Sequence, residues 1–214
     1  MRLKLVSDFV DFYDHLFSSD EDSVPFSRVS ASDIDQESQF EFLVSLKYNV
    51  PYYGQLGALL ETMDNENDLF VIYDSKGQKP RFLTRSEALQ EPFNQFSAAH
   101  ILHDTGRAIS YRWLQVGDHP FLLEYASDDS WNSRTGTVAI RVIKASSVRA
   151  FLPHIPHPLW AIDFIPFDNN SQRIAIKFTT SPVLQQTGIE EFMTAEEIVA
   201  AISRGVQNFV KKDR

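Results

Sequence analysis

Short β-like runs and amphipathic stretches alternate along the chain. Arg2 to Val6 predicts a short strand, after which Ser7-Asp8 can cap a helix carrying Phe9, Phe12, Tyr13, Leu16 and Phe17 at helical spacing. The polar run Ser18 to Ser23, then Pro25, closes that helix. Phe40, Phe42, Val44 and Leu46 alternate, which predicts a strand ending at the turn Asn49-Val50-Pro51. Gly54 to Met63 predicts a short helix with Leu56, Leu59, Leu60 and Met63 on one face. Leu69 to Tyr73 and Arg81 to Leu83 predict two strands around the turn Asp74 to Gly77. Thr84-Arg-Ser-Glu87 has the spacing of a capping box, opening a short helix that Pro92 stops, and Phe96 to Leu102 predicts a further strand.

The second half repeats one signal. Ile109–Val116, Pro120–Ala126, Thr137–Ile143, Leu159–Phe167 and Arg173–Thr179 are each rich in β-branched or aromatic residues with partial alternation. Gly117-Asp118 makes a hairpin of the first pair, and Asp168-Asn-Asn170 separates the last pair. Thr194-Ala-Glu-Glu197 has a second capping-box spacing. It opens a closing helix with Ile198, Ala201, Ile202, Val206 and Phe209 on one face and Lys211-Lys212 at its end, which suits the helix dipole.

Composition narrows the classes. At 214 residues and 43% hydrophobic content the chain can bury a sizeable core, and 17 Phe, 7 Tyr and 3 Trp supply rings to fill it. Twenty Lys and Arg against 29 Asp and Glu leave −9, which removes the nonspecific attraction to phosphate and argues against nucleic-acid or anionic-membrane partners. The carboxylates are dispersed, so a DNA mimic is not expected either. Without cysteine there are no disulfides, thiolate metal sites or thiol nucleophiles. No apolar run approaches the roughly 18 residues of a membrane span, and the amino terminus lacks a signal peptide's long apolar run, so a soluble, cytoplasmic protein is expected.

Candidate chemistry concentrates in Leu159-Trp-Ala-Ile-Asp163-Phe-Ile, Arg173-Ile-Ala-Ile-Lys177-Phe-Thr179-Thr-Ser-Pro182 and Gly188-Ile-Glu190. These are two antiparallel strands. Asp163 projects from the first, and Lys177 and Thr179, two apart, share one face of the second. The segment resembles the end of ATP-grasp ligases, particularly the group that adds glutamate to a protein or peptide terminus. In that pattern the first strand carries a metal-binding Asp or Glu. The next carries an acidic residue, any residue, Asn, two small residues, Pro and Gly. Asp163 matches the first role; Lys177 stands at the second acidic position, Thr179 at the Asn, Pro182 at the Pro and Val183 at the Gly. Upstream, Ser110-Tyr-Arg112 running into Gly117 is similar to the family's strand–turn–strand, in which an Arg precedes a Gly-centred turn. Asp128 to Gly136 resembles the loop that follows, with Asn132 and Arg134 exchanged relative to the family's order. The likeness covers Ile109 to Phe209.

The resemblance implies an α+β fold: an ATP-grasp-like antiparallel sheet with flanking helices in the carboxyl-terminal two-thirds, preceded by a small α+β region. Residues 66–214 would be a reduced ATP-grasp-like domain, and residues 1–65 an amino-terminal region without an assigned role. It implies ATP and magnesium as cofactors and, if the chain is active, ATP-dependent carboxylate–amine ligase chemistry. Arg112 and Arg134 would be catalytic, Lys177 and Thr179 would face the nucleotide, and Asp163 would be the metal ligand. The departures are chemical, because lysine at a carboxylate position opposes a divalent cation. Lys177 could instead meet a phosphate directly. The expected function is therefore nucleotide binding without standard magnesium-dependent ligase activity. The alternative is a non-catalytic interaction or assembly protein with a protein partner.

Each residue also has a structural reading. Asp163 could pair with Lys177, the stem of Arg112 could cover apolar neighbours, and Arg134 could be solvated in its polar loop. Other motifs carry less. His154-Ile-Pro-His157 lies among prolines, and neither it nor His100-Ile-Leu-His103 has an evident third ligand. Gly54 to Gly57 and Lys76-Gly77 lack phosphate-loop spacing, and no Gly-x-Ser-x-Gly elbow occurs. Leu69 to Leu102 could form a reduced nucleotide-clamping lobe. It holds Lys76 and Lys79 but no glycine-rich flap.

Overall fold

The structure is a computed structural model that describes residues 2–6, 23–27, 36–63, 68–73, 80–101, 108–128, 137–143, 155, 157–166 and 173–212. The helix expected over Phe9 to Phe17 and the candidate Arg134 lie outside these residues. β1 (Arg2–Val6) pairs in parallel with β2 (Ser23–Ser27).

The stretch expected as a strand around Phe40 is instead a helix, α1 (Gln36–Ser45). The apolar alternation at even positions omitted Leu43. With it, Gln39, Phe40, Phe42 and Leu43 form a buried stripe at three- and four-residue spacing, while Val44 is exposed. The helix stops at Lys47, which takes φ 68°. Tyr48 N–H donates to Leu43 O at 3.0 Å and Lys47 N–H to Val44 O at 2.9 Å, the paired bonds of a Schellman ending.

A four-stranded antiparallel sheet follows, in the order β3-β6-β4-β5. Its members are β3 (Tyr52–Gln55), β4 (Asp68–Ile72), β5 (Arg81–Thr84) and β6 (Phe96–Ile101). One face is covered by α2 (Leu56–Thr62) and α3 (Arg85–Ala88), which enclose Leu56, Leu59, Leu60, Phe70, Ile72 and Ala88. The Thr84 capping box forms as expected. Arg85 then donates to the Met63 carbonyl and, at 2.8 Å, to Leu60 O, satisfying the end of α2. The other face carries Tyr53, Phe96 and Ala98, with Tyr73 following β4; the Phe40 ring lies 5.0 Å from Tyr53 and 6.1 Å from Tyr73.

The larger sheet is antiparallel, in the order β11-β10-β7-β8-β9. It contains β7 (Ile109–Val116), β8 (His119–Ser127), β9 (Val138–Ile143), β10 (Leu159–Pro166) and β11 (Arg173–Thr179). One face packs Trp113, Leu122, Trp160, Ile162 and Phe178 against α1, with Phe42 4.5 Å from the Phe178 ring. On the other, Leu114, Val116, Leu123 and Ala161 meet Ile189, Met193 and Ala201. Ile189 opens a short 3-10 turn (Ile189–Glu191), and Ala201 belongs to α4 (Ala195–Lys212). At the start of α4, Thr194 and Glu197 exchange both capping bonds. Along β11, the N–H of Ala175 reaches Asn49 O at 2.8 Å, Gln36 donates to Ile176 O at 2.9 Å, and Phe178 N–H reaches the Gln39 side chain at 3.3 Å. The segment from α1 to Asn49 thus takes the place of a neighbouring strand on that edge.

Candidate nucleotide site on the helix 4 face of the large sheet

Position along three adjacent strands decides which candidates meet. In β7 the even positions Leu114 and Val116 face α4, so Arg112 does too. In β10, Asp163 shares a face with Ala161. Asp163 is paired with Arg112 on one side and Lys177 on the other, and Ala161 is paired with Thr179. Directly opposed residues of an antiparallel pair share a face, so Arg112, Asp163, Lys177 and Thr179 lie on one surface. The irregularity between Asp163 and Phe164 takes up one residue and returns Ala175 to the opposite face, against α1.

Arg112 and Asp163 form a two-pronged ion pair. Nε donates to one carboxylate oxygen at 2.6 Å and Nη2 to the other at 2.8 Å, with both residues buried. The guanidinium carbon also stands 5.8 Å from the centre of the Tyr125 ring. Burial alone would lower the Arg112 pKa, but the Asp163 carboxylate and its hydrogen bonds outweigh it and hold the value above the ordinary arginine range. The charge on Arg112 is therefore permanent.

Thr179 and Thr180 are buried, and the Thr179 hydroxyl accepts from Ser181 N–H at 3.1 Å. Lys177 is partly exposed. Four of the expected site residues are thus brought onto one face, and Arg134 is outside the described residues. Tyr125 was not anticipated as part of the site. The Gly117-Asp118 turn sets Ser110 opposite Tyr125 and Arg112 opposite Leu123, one diagonal step away, so the contact follows from the hairpin register. Of the expected histidines, His157 is buried with Nδ1 2.5 Å from Leu159 O. Among the described residues no three His, Cys, Asp or Glu side chains gather as a metal cluster.

No sequence family matches the chain, and no curated protein does. Solved structures do. A macrocyclase from Microcystis aeruginosa bound with precursor peptide superposes with a TM-score of 0.53 at 11% identity, covering 86% of this chain and 65% of that one. An ATP-grasp ligase from Chryseobacterium gregarium, in complex with ADP and a leader and core peptide, gives 0.53 at 12% identity, covering 92% and 67%. The fold is ATP-grasp-like. D-alanine–D-alanine ligase from Bacillus anthracis, complexed with ATP, gives 0.51 at 8% identity, covering 86% and 69%. The ATP-grasp-like chain therefore spans about two thirds of the length of these proteins. At such identities the likeness concerns the fold. None of the described helices is long and apolar enough to cross a membrane.

Proposed function

We propose that this chain binds an adenine nucleotide on the Arg112–Asp163–Lys177–Thr179 face, without the magnesium-dependent ligase chemistry that the fold otherwise supports. One observation carries this reading: Asp163 lies in register between Arg112 and Lys177. Among these three residues two positive charges accompany one negative charge, an arrangement that favours an anionic ligand. Lysine binds phosphate as a compact charge with three donors. Ligase chemistry would need a divalent ion to neutralise the phosphoryl group being transferred. Two of the structural neighbours are described with ADP or ATP, which supports choosing an adenine nucleotide.

Thermal unfolding of the full chain with ATP or ADP, with and without magnesium, tests the reading. Nucleotide at a hundred times its dissociation constant stabilises a folded protein by about 2.7 kcal/mol. The wild type should gain stability without magnesium, and Lys177→Met should lose most of that gain. If neither nucleotide shifts the transition, the nucleotide reading fails and a non-catalytic interaction protein on the same fold takes its place.

A further inference from the structure

We infer that Arg112 and Lys177 are built-in cations that take the place of a divalent ion at this site, so that Asp163 does not accept one. This rests on the reading above only in treating the shared face as the site. The carboxylate oxygens that would point at an ion already accept from Nε and Nη2 of Arg112 at 2.6 and 2.8 Å. The planar guanidinium occupies the side from which both oxygens could be approached together. Across the strand pair, the position aligned with Asp163 is Lys177, an ammonium where a second carboxylate would be needed. Thr179 offers one hydroxyl oxygen, and that oxygen already accepts from Ser181 N–H. Magnesium requires several hard oxygens in near-octahedral geometry and tolerates an adjacent cation poorly. The donor set present does not fit it.

Tyr125 strengthens the assignment. Its ring flanks the guanidinium on the β8 side, 5.8 Å from the guanidinium carbon to the ring centre. A metal chelated by both Asp163 oxygens would have to displace Arg112 and leave a buried guanidinium without its counter-ion, which is strongly unfavourable.

Manganese titration of the isotope-labelled full chain reads this directly, because a bound paramagnetic ion broadens nearby amide signals. In the wild type, the amides of Asp163, Lys177 and Thr179 should keep their intensity. In Arg112→Met/Lys177→Glu they should disappear, and Asp163→Asn added to that variant should restore them. Selective loss of those wild-type signals would overturn the inference, as would a folded double variant that keeps them. If the double variant does not fold, the wild-type titration decides by itself. The outcome is independent of the nucleotide melts: a chain that ignores ATP can still exclude manganese, and one that binds ATP can still admit it.

Discussion

Gly117 stands so close to Ala201 that a β-carbon on it would lie 2.4 Å from the Ala201 carbonyl oxygen. The turn linking β7 to β8 is thereby pressed against the backbone of α4, and Gly117 N–H is held by Pro158 O at 2.6 Å. Gly117 also has φ +60°, a left-handed conformation that L side chains adopt at a cost. Gly117→Ala should therefore destabilise the chain by about 2–4 kcal/mol, from backbone strain plus overpacking. Gly188→Ala is the comparison, since its nearest neighbour is a side-chain methyl at 3.3 Å, and it should cost about 1–2 kcal/mol. Urea unfolding of both variants measures the difference.

The Arg112–Asp163 bridge predicts strong non-additivity. Removing either partner strands a buried charge, so Arg112→Met and Asp163→Leu should each cost about 3–5 kcal/mol. The double variant should recover much of that loss, because well-packed apolar residues can replace a buried pair. A double-mutant cycle by denaturant unfolding measures the coupling. Strict additivity would mean that the two side chains do not act as a pair.

Acid stability should carry the signature of His157. Burial pushes its pKa from 6.5 down to about 4 in the folded chain, against the opposing hydrogen bond to Leu159. Between those values the unfolded chain binds the extra proton and the folded chain does not, so stability falls as the pH drops through that window and levels off below it. The loss from this group amounts to at most about 3 kcal/mol. His157→Gln should flatten the wild-type pH dependence between pH 6.5 and 4, read as the difference between the two unfolding profiles.

Lys47 closes α1 in a left-handed conformation usually given to glycine. Lys47→Gly should relieve that strain and raise stability by about 0.5–1 kcal/mol, the net of conformational relief and the greater freedom of unfolded glycine. A rise in urea midpoint at unchanged slope would register it.

Local signals predicted their own neighbourhoods well. The Gly117-Asp118 turn gives the β7–β8 hairpin and, by counting outward, the pairing of Arg112 with Leu123. Thr84 and Thr194 open the helices that their capping-box spacing predicts. The resemblance of Asp163 to Pro182 and of Arg112 to Gly117 led to the ATP-grasp-like fold that the solved structures support. Two features were hidden for physical reasons. The apolar residues of α1 satisfy a strand's alternation when Leu43 is left out, and only packing against Phe178 and Tyr53 chooses the helix. The second is the two-pronged bond from Arg112 to Asp163. β10 also pairs with β7, which places Asp163 beside a residue 51 positions earlier in the chain, and no turn between the two strands reports that register.

The outer edge of β11 is finished by a helix and its trailing loop, so its hydrogen bonds belong to α1 as much as to the sheet. Amide exchange at Ala175 and Phe178 then reads out the docking of α1, separately from the opening of β10 against β11. Any solution change that lifts α1 away would unmask a row of strand donors and acceptors beside the face that holds Lys177 and Thr179. Among the described residues, the hydrogen bonds that cover that side of the sheet come from Gln36, Gln39 and the backbone of Asn49.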